Sequence, residues 1–412
     1  MTTAGQIGTT VAATSANAAA TSAVDGLPLT VPTSWRVGRG RSLTALTVTA
    51  ALLGCQVLAA STPLGSDVRL LLPSEGLLAG LGDGLRRGYG LAMAESRACG
   101  MAPPSLQLGW LPPGEDPLPA LQRAPRSALL VAPPAAPLES YGQLAVQQRL
   151  SVLLPLQRGR SLDGLPQLQG ADRLWPIVPA RSLEVDRLAE ALLADGVQRV
   201  MVVRDASAES QALSERFSVS FANGRGVLIG PTAAVMSVDG RDRQALEQLQ
   251  ADVDWYRPPA LVVLTAPASP LAQAIRAGQW PPGLLLAWPF RVSGPLAQPQ
   301  LGVDPLSRGP GWQGFAQRFE RRWGYRPGLV ESAGYDTGQI AALAAVPVAG
   351  RPGWDLQWFG GRGQPLPLCS ALRQRRAGEA VRPLGATSRF DLAAASSPTA
   401  QLNLSRAAAR LP

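Results

Sequence analysis

The chain has no histidine, and all 38 of its basic residues are arginine because lysine is missing as well. These absences exclude a Ser-His or Cys-His nucleophile pair, an imidazole zinc site, a Schiff-base lysine and a Walker lysine. An enzyme would have to work with carboxylates, Ser, Cys, Tyr and Arg. No Gly-x-Ser-x-Gly elbow is present. The triplet Asp336-Thr337-Gly338 has no second copy to share a proton with, and it falls in a helical pattern. We therefore expect no catalysis, no cofactor and no metal. Aromatic residues are scarce at 5%. The net charge of +9 comes from arginines spread along the chain without aromatic interleaving, so it reads as a solvated surface rather than a nucleic-acid footprint.

A length of 412 residues with 46% hydrophobic content is enough for two domains with real cores. Residues 1–35, rich in Ala and Thr, hold too few large apolar groups to offset the entropy of ordering and are expected to be disordered, or to precede the true start. Residues 36–60 carry Arg36, Arg39 and Arg41 ahead of an apolar run from Leu43 to Leu53. That run is too short to span a bilayer, which needs roughly twenty residues, and the layout is that of a secretory signal. Leu52-Leu53-Gly54-Cys55 resembles a bacterial lipobox, which implies lipidation of Cys55 and a membrane anchor. Cleavage after the small residues near Ala59 and an ordinary buried helix are the alternatives. In an oxidising compartment Cys99 and Cys369 could pair; they could equally be two small buried apolar residues.

Residues 70–96, LLLPSEGLLAGLGDGLRRGYGLAMAES, look at first like a loosened dinucleotide fingerprint. In such a unit the glycines form the turn directly after the strand. Here the strand-like run ends near Leu72, well before Gly82, and Leu77, Leu81, Leu85, Tyr89 and Met93 recur every four residues. The glycines are thus expected inside a helix, and the turn is Pro73-Ser74-Glu75-Gly76. Further strands are expected at 106–110, 128–131, 152–154, 199–203, 226–229, 261–265 and 284–288, with helices at 183–193 and 241–253. Apolar strands separated by helices predict parallel sheets covered on both faces. The fold class is α/β, doubly wound, in two portions.

The segment 311–345 is the most distinctive. Trp312, Phe315, Phe319 and Trp323 mark one helical face, Gly324-Tyr325-Arg326-Pro327 breaks it, and a second helix starts near Val330. It resembles the Leu/Ile/Val-type solute-binding family of ABC importers, which has a Phe-x-x-x-Phe helix, a Gly-x-x-Pro turn and an Ala-Tyr-Asp helix in this order. The opening Leu-Pro-Ser-x-Gly loop with Gly88, Ala92 and Glu95, the strand from Val200 to Asp205, and Leu384 to Asp391 are similar to family features in register.

The resemblance implies the type I periplasmic-binding fold: two α/β lobes closing on a small ligand, with ABC permease subunits as partners. The lobes would be 67–180 plus 295–348, and 181–294 plus 349–412. Ser74 and Glu75 would lie on a loop facing the interlobe cleft, with an N-cap role open for Ser74. The family's amino-acid clamp carries over poorly. Val131-Ala-Pro-Pro-Ala-Ala-Pro137 replaces its serine loop, Gln157-Arg158 its Ala-Ser/Thr pair, and Trp288-Pro-Phe290-Arg291 its acidic ligand. The implied site is therefore Ser74, Glu75, Arg158, Ser269, Trp288 and Arg291, holding an anionic or apolar ligand, or else a degenerate cleft. Arg158 could instead be a surface arginine and Trp288 a core residue. The proline-rich link from Gly109 to Arg126 is too short for the family's full helix. A lipid-anchored envelope scaffold on the same fold is the competing function.

Overall fold

The computed structural model describes residues 66–408, apart from 123, 125, 135, 232–234, 294–296 and 360–363. The expected disordered stretch 1–35, the signal segment and Cys55 lie outside the described residues.

Near-continuous apolar runs form the first sheet. Strands β1 (Ser66–Pro73), β2 (Leu106–Leu111), β3 (Ser127–Val131), β4 (Ser151–Leu154) and β5 (Leu174–Pro176) pair in the order β2-β1-β3-β4-β5, all parallel. Parallel strands need crossovers that cover both faces. On one face, Val68, Leu70 and Leu72 pack with helices α1 (Gly76–Ala98), α8 (Trp312–Trp323), α9 (Leu329–Ala345) and α10 (Leu368–Arg376). On the other, Leu130, Val152 and Leu154 pack with α2 (Leu118–Gln122) and α3 (Leu138–Gln148). Helix α2 has five residues, as the proline-rich link foretold. With so little cover, edge strand β2 leaves Leu106, Leu108 and Trp110 exposed.

The second sheet repeats the plan. It contains β6 (Arg199–Arg204), β7 (Val227–Leu228), β8 (Val235–Ser237), β9 (Ala260–Leu264), β10 (Leu285–Trp288) and β11 (Gln300–Asp304). Helices α4 (Ser182–Ala194) and α5 (Ala208–Asn223) cover one face, and α6 (Arg243–Tyr256) and α7 (Pro270–Ala277) the other. Short pairs β12–β13 (Pro347–Val348, Arg351–Pro352) and β14–β15 (Pro365–Leu366, Arg382–Pro383) lie apart from both sheets. Finally β16 (Asn403–Ala407) joins β11 antiparallel.

Two segments differ from the expected lobe allotment. Strand β11, within 295–348, hydrogen-bonds to β10 in the second sheet, and α10, within 349–412, packs on α1 and α9 beside the first. The chain thus crosses between the sheets after β5, after β11 and before β16. Strand β11 is not expected from the sequence because its five residues, QLGVD, alternate polar and apolar and form no unbroken apolar run of the kind that marks strands such as β4 and β9.

The glycines of the opening segment do lie in a helix. A Cβ on Gly88 would come within 1.9 Å of the Glu331 carbonyl oxygen, and one on Gly334 within 2.1 Å of the Leu85 carbonyl oxygen. They let α1 and α9 approach backbone to backbone. Cys99, just past the end of α1, and Cys369 on α10 form a disulfide with Cα atoms 5.2 Å apart, so the paired alternative is the one realised. No helix among the described residues is long and apolar enough to cross a membrane.

Candidate functional site

In open α/β sheets, ligands sit beyond the carboxyl ends of the strands, so the loops there position the candidate residues. Ser74 and Glu75 follow β1 and are exposed. The Ser74 N–H donates to the Leu111 carbonyl at 2.9 Å. Glu75, not Ser74, occupies the N-cap of α1 and makes no side-chain cap, so the capping role weighed for Ser74 does not hold. Gly76 follows with φ +67°, a left-handed conformation that fixes the turn.

Ser269 caps α7: its Oγ accepts the Ala272 N–H at 3.0 Å and lies 2.8 Å from Thr265 Oγ1. Thr265 in turn hydrogen-bonds Asp205, linking the ends of β9 and β6. Trp288 is fully buried, 5.2 Å from the Phe290 ring centroid and with the Arg276 guanidinium 5.1 Å from its own. The core alternative therefore describes it, and its ring offers no face to a ligand in this conformation. Arg291 is exposed, with its nearest described carboxylate, Asp304, at 4.0 Å.

Arg158 follows β4 and is no free surface arginine. Its Nε donates to the Pro179 carbonyl at 3.1 Å and its Nη2 to Glu184, whose side chain is 2% exposed. Burial pushes the Glu184 carboxyl above its ordinary range, and Arg158 pulls it back.

Of the six expected residues, Arg158 alone lines a cavity of about 470 Å³ where the loops after β4 and β5 meet α5 of the second lobe. Glu209 on α5 reaches across: its Oε2 accepts the Arg160 N–H at 2.9 Å, and its Oε1 lies 3.4 Å from Arg181 Nη1. A Cβ on Gly159 would meet Glu209 Oε2 at 2.9 Å, so glycine makes room for this contact. Arg216 also borders the cavity, held bidentately by Asp186 at 2.7 and 2.8 Å. Asp163 has its pKa raised by burial and then by Glu209, against Arg160 and Arg216.

Sequence reasoning missed Glu209, Arg160 and Arg181. The position of Glu209 in the first turn after the β6 loop was the available signal. The cavity lining sets guanidinium groups beside carboxylates. Among the described residues no cluster of His, Cys, Asp or Glu could hold a metal ion.

No protein-family model matches the chain, and no curated protein does. Solved structures do. One is an ABC-transporter substrate-binding protein from Desulfitobacterium hafniense in complex with Leu, with TM-score 0.57 and 14% identity over 82% of this chain and 96% of that one. Another is a branched-chain amino acid ABC-transporter periplasmic ligand-binding protein from Burkholderia xenovorans (TM-score 0.56, 14% identity, 83% and 90% covered). A third is an ABC-transporter solute-binding protein from R. palustris in complex with benzoate (TM-score 0.54, 16% identity, 82% and 91% covered). At these identities the likeness is one of fold: two doubly wound lobes of the type I periplasmic-binding class.

Proposed function

We propose that this chain, with its type I periplasmic-binding fold, is the extracytoplasmic solute-binding component of an ABC importer. It takes a small ligand between its lobes, closes by a hinge motion and delivers the ligand to permease subunits without catalysis. The observation that carries this is the contact of Glu209 with Arg160 and Arg181, which joins loops of one lobe to a helix of the other beside a cavity. Arg158, Arg160 and Arg181 supply cationic donors beside the carboxylates of Asp163, Glu209 and Glu215, while Leu213 and Val219 supply apolar wall. That lining suits an anionic or amino-acid-like ligand with an apolar body, the chemistry common to the leucine and benzoate of the similar structures. Arg36 to Leu53 would direct export, and Cys55 would carry a lipid anchor.

Thermal shift of the purified protein against amino acids, aromatic carboxylates and dicarboxylates tests the receptor. A ligand at 100-fold excess over Kd adds about 2.7 kcal/mol, a readily measured rise in Tm. Mass spectrometry of membrane-extracted protein, with Cys55→Ala as control, tests the anchor.

A second reading, an envelope scaffold with a degenerate cleft, draws support from the buried Trp288 and from the Arg158–Glu184 pair that consumes the arginine expected to face a ligand. A flat ligand screen together with a co-purifying envelope protein would favour it over the receptor.

A further inference from the structure

Two of the crossings between lobes run side by side. Residues 305–311 leave β11 and residues 384–402 return to β16. The Gly309 N–H donates to the Ala386 carbonyl at 2.9 Å, the Gly311 N–H to the Gly385 carbonyl at 2.8 Å, and the Ser307 hydroxyl to the Thr387 carbonyl. A Cβ on Gly309 would lie 2.3 Å from the Gly385 oxygen, so only glycine allows this approach. Asp336 fixes the same segment from the core by accepting the N–H groups of Ala386 and Thr387 at 2.7 and 2.8 Å.

Against this crossing lies a second cavity of about 470 Å³, into which Ser307, Arg308, Ser388, Arg389, Thr399 and Gln401 contribute. Its lining holds two guanidinium groups and no carboxylate. Among the described residues neither arginine makes an ion pair; Arg308 lies 5.8 Å from the Trp312 ring centroid, and both are exposed. Asp391, outside the lining, accepts the Thr399 hydroxyl. Helix α8 begins just beyond Pro310 with no acidic residue in its first turn, so its dipole adds potential of the same sign. None of the six expected ligand residues lines this cavity.

We infer that this cavity is a second binding site, for a small phosphate-bearing molecule, which bridges the two crossing segments through Arg308 and Arg389. Two planar guanidinium forks together with the Ser388 hydroxyl and the Gln401 amide, the lining donors not already committed to Thr387 or Asp391, match a tetrahedral oxyanion with several acceptor oxygens. A volume of this size is in the range of small-molecule sites and leaves room for an ester group beyond a bare phosphate.

The test is calorimetric titration of the full-length protein with inorganic phosphate and, separately, glycerol 3-phosphate, at constant ionic strength set with KCl. Wild type is expected to show saturable binding, and Arg308→Gln/Arg389→Gln to weaken it roughly tenfold or more with Tm unchanged when no phosphate is present. Arg243→Gln, on the exposed face of α6 and outside the cavity, should bind as wild type does. The relative affinity of the two probes separates free phosphate from ester. Bound phosphate should also slow amide exchange in 307–311 and 384–402. The inference is overturned by undiminished binding in the double variant, by a response that KCl alone reproduces, or by the absence of saturable heat from either probe.

Discussion

Thr387 donates both its N–H, at 2.8 Å, and its hydroxyl, at 2.6 Å, to one oxygen of Asp336, 51 residues away. The other oxygen accepts from Ala386 at 2.7 Å and from Gln339 at 3.2 Å. Asp336 is wholly buried, and burial pushes its pKa up to about 6 in spite of these donors. The folded protein therefore holds a proton here between roughly pH 4 and 6 that the unfolded chain has lost. This group's contribution is complete at acid pH and fades as pH rises through 6, by on the order of 2–3 kcal/mol. Urea unfolding should show a higher midpoint at pH 4.5 than at pH 7. Asp336→Asn should flatten most of that slope, leaving the part due to Glu184 and Asp163, which shift in the same direction. An unchanged slope would assign it elsewhere.

Arg158 and Glu184 form the next test. Removing the arginine leaves the buried Glu184 carboxylate with only the more distant Arg181, at 3.8 Å, so the loss should fall below the about 3–5 kcal/mol of a fully stranded charge. Arg158→Gln should lower the denaturation midpoint accordingly. Arg158→Gln/Glu184→Gln should recover a large part of the loss, because the stranded charge is then gone. Equal losses in the single and double variants would show that the charge pairing is not what matters.

Gly88 and Gly90 lie two residues apart in α1 and should respond oppositely to alanine. At Gly88 the added methyl meets the Glu331 backbone, and overpacking of this kind costs about 1–3 kcal/mol or more. At Gly90 nothing lies within 4 Å, so alanine should stabilise the helix by up to about 1 kcal/mol. Thermal unfolding of Gly88→Ala and Gly90→Ala checks both signs together.

The Cys99–Cys369 disulfide spans a sequence separation of 270. Closing so long a loop restricts the unfolded chain, and bonds of this type contribute about 2–4 kcal/mol. Cys99→Ser/Cys369→Ser should fall in Tm by the same amount as wild type does on adding reductant. Reductant should then leave the double variant unaffected.

These residues also mark how far the sequence could be read. The eight strands expected from apolar runs are present; buried parallel strands such as β4 and β9 leave an unbroken apolar signature. The regular spacing of Leu85, Tyr89 and Met93 correctly put the glycines in a helix, and all three side chains are buried. Spacing could not show which glycine touches what. Strand β11 went unread, and with it the second crossing, since QLGVD alternates polar and apolar and shows no unbroken apolar run. The cleft was legible as a place and poorly as a set of residues. Loops after strands are identifiable in sequence, but whether Arg158 faces a ligand or Glu184 depends on a partner 26 residues away. Trp288 looks the same in sequence whether it stacks on a guest or packs against Phe290.

The disulfide has a mechanical consequence. Strands β2 to β11 all lie between its two cysteines, so a pull on the chain ends is transmitted through the sulfur bridge and bypasses the whole enclosed loop. In a force spectrometer, β16, outside the loop, should peel from β11 early. The enclosed stretch, about 90 nm of contour at 3.3–3.6 Å per residue, should lengthen only after a reductant cuts the bridge.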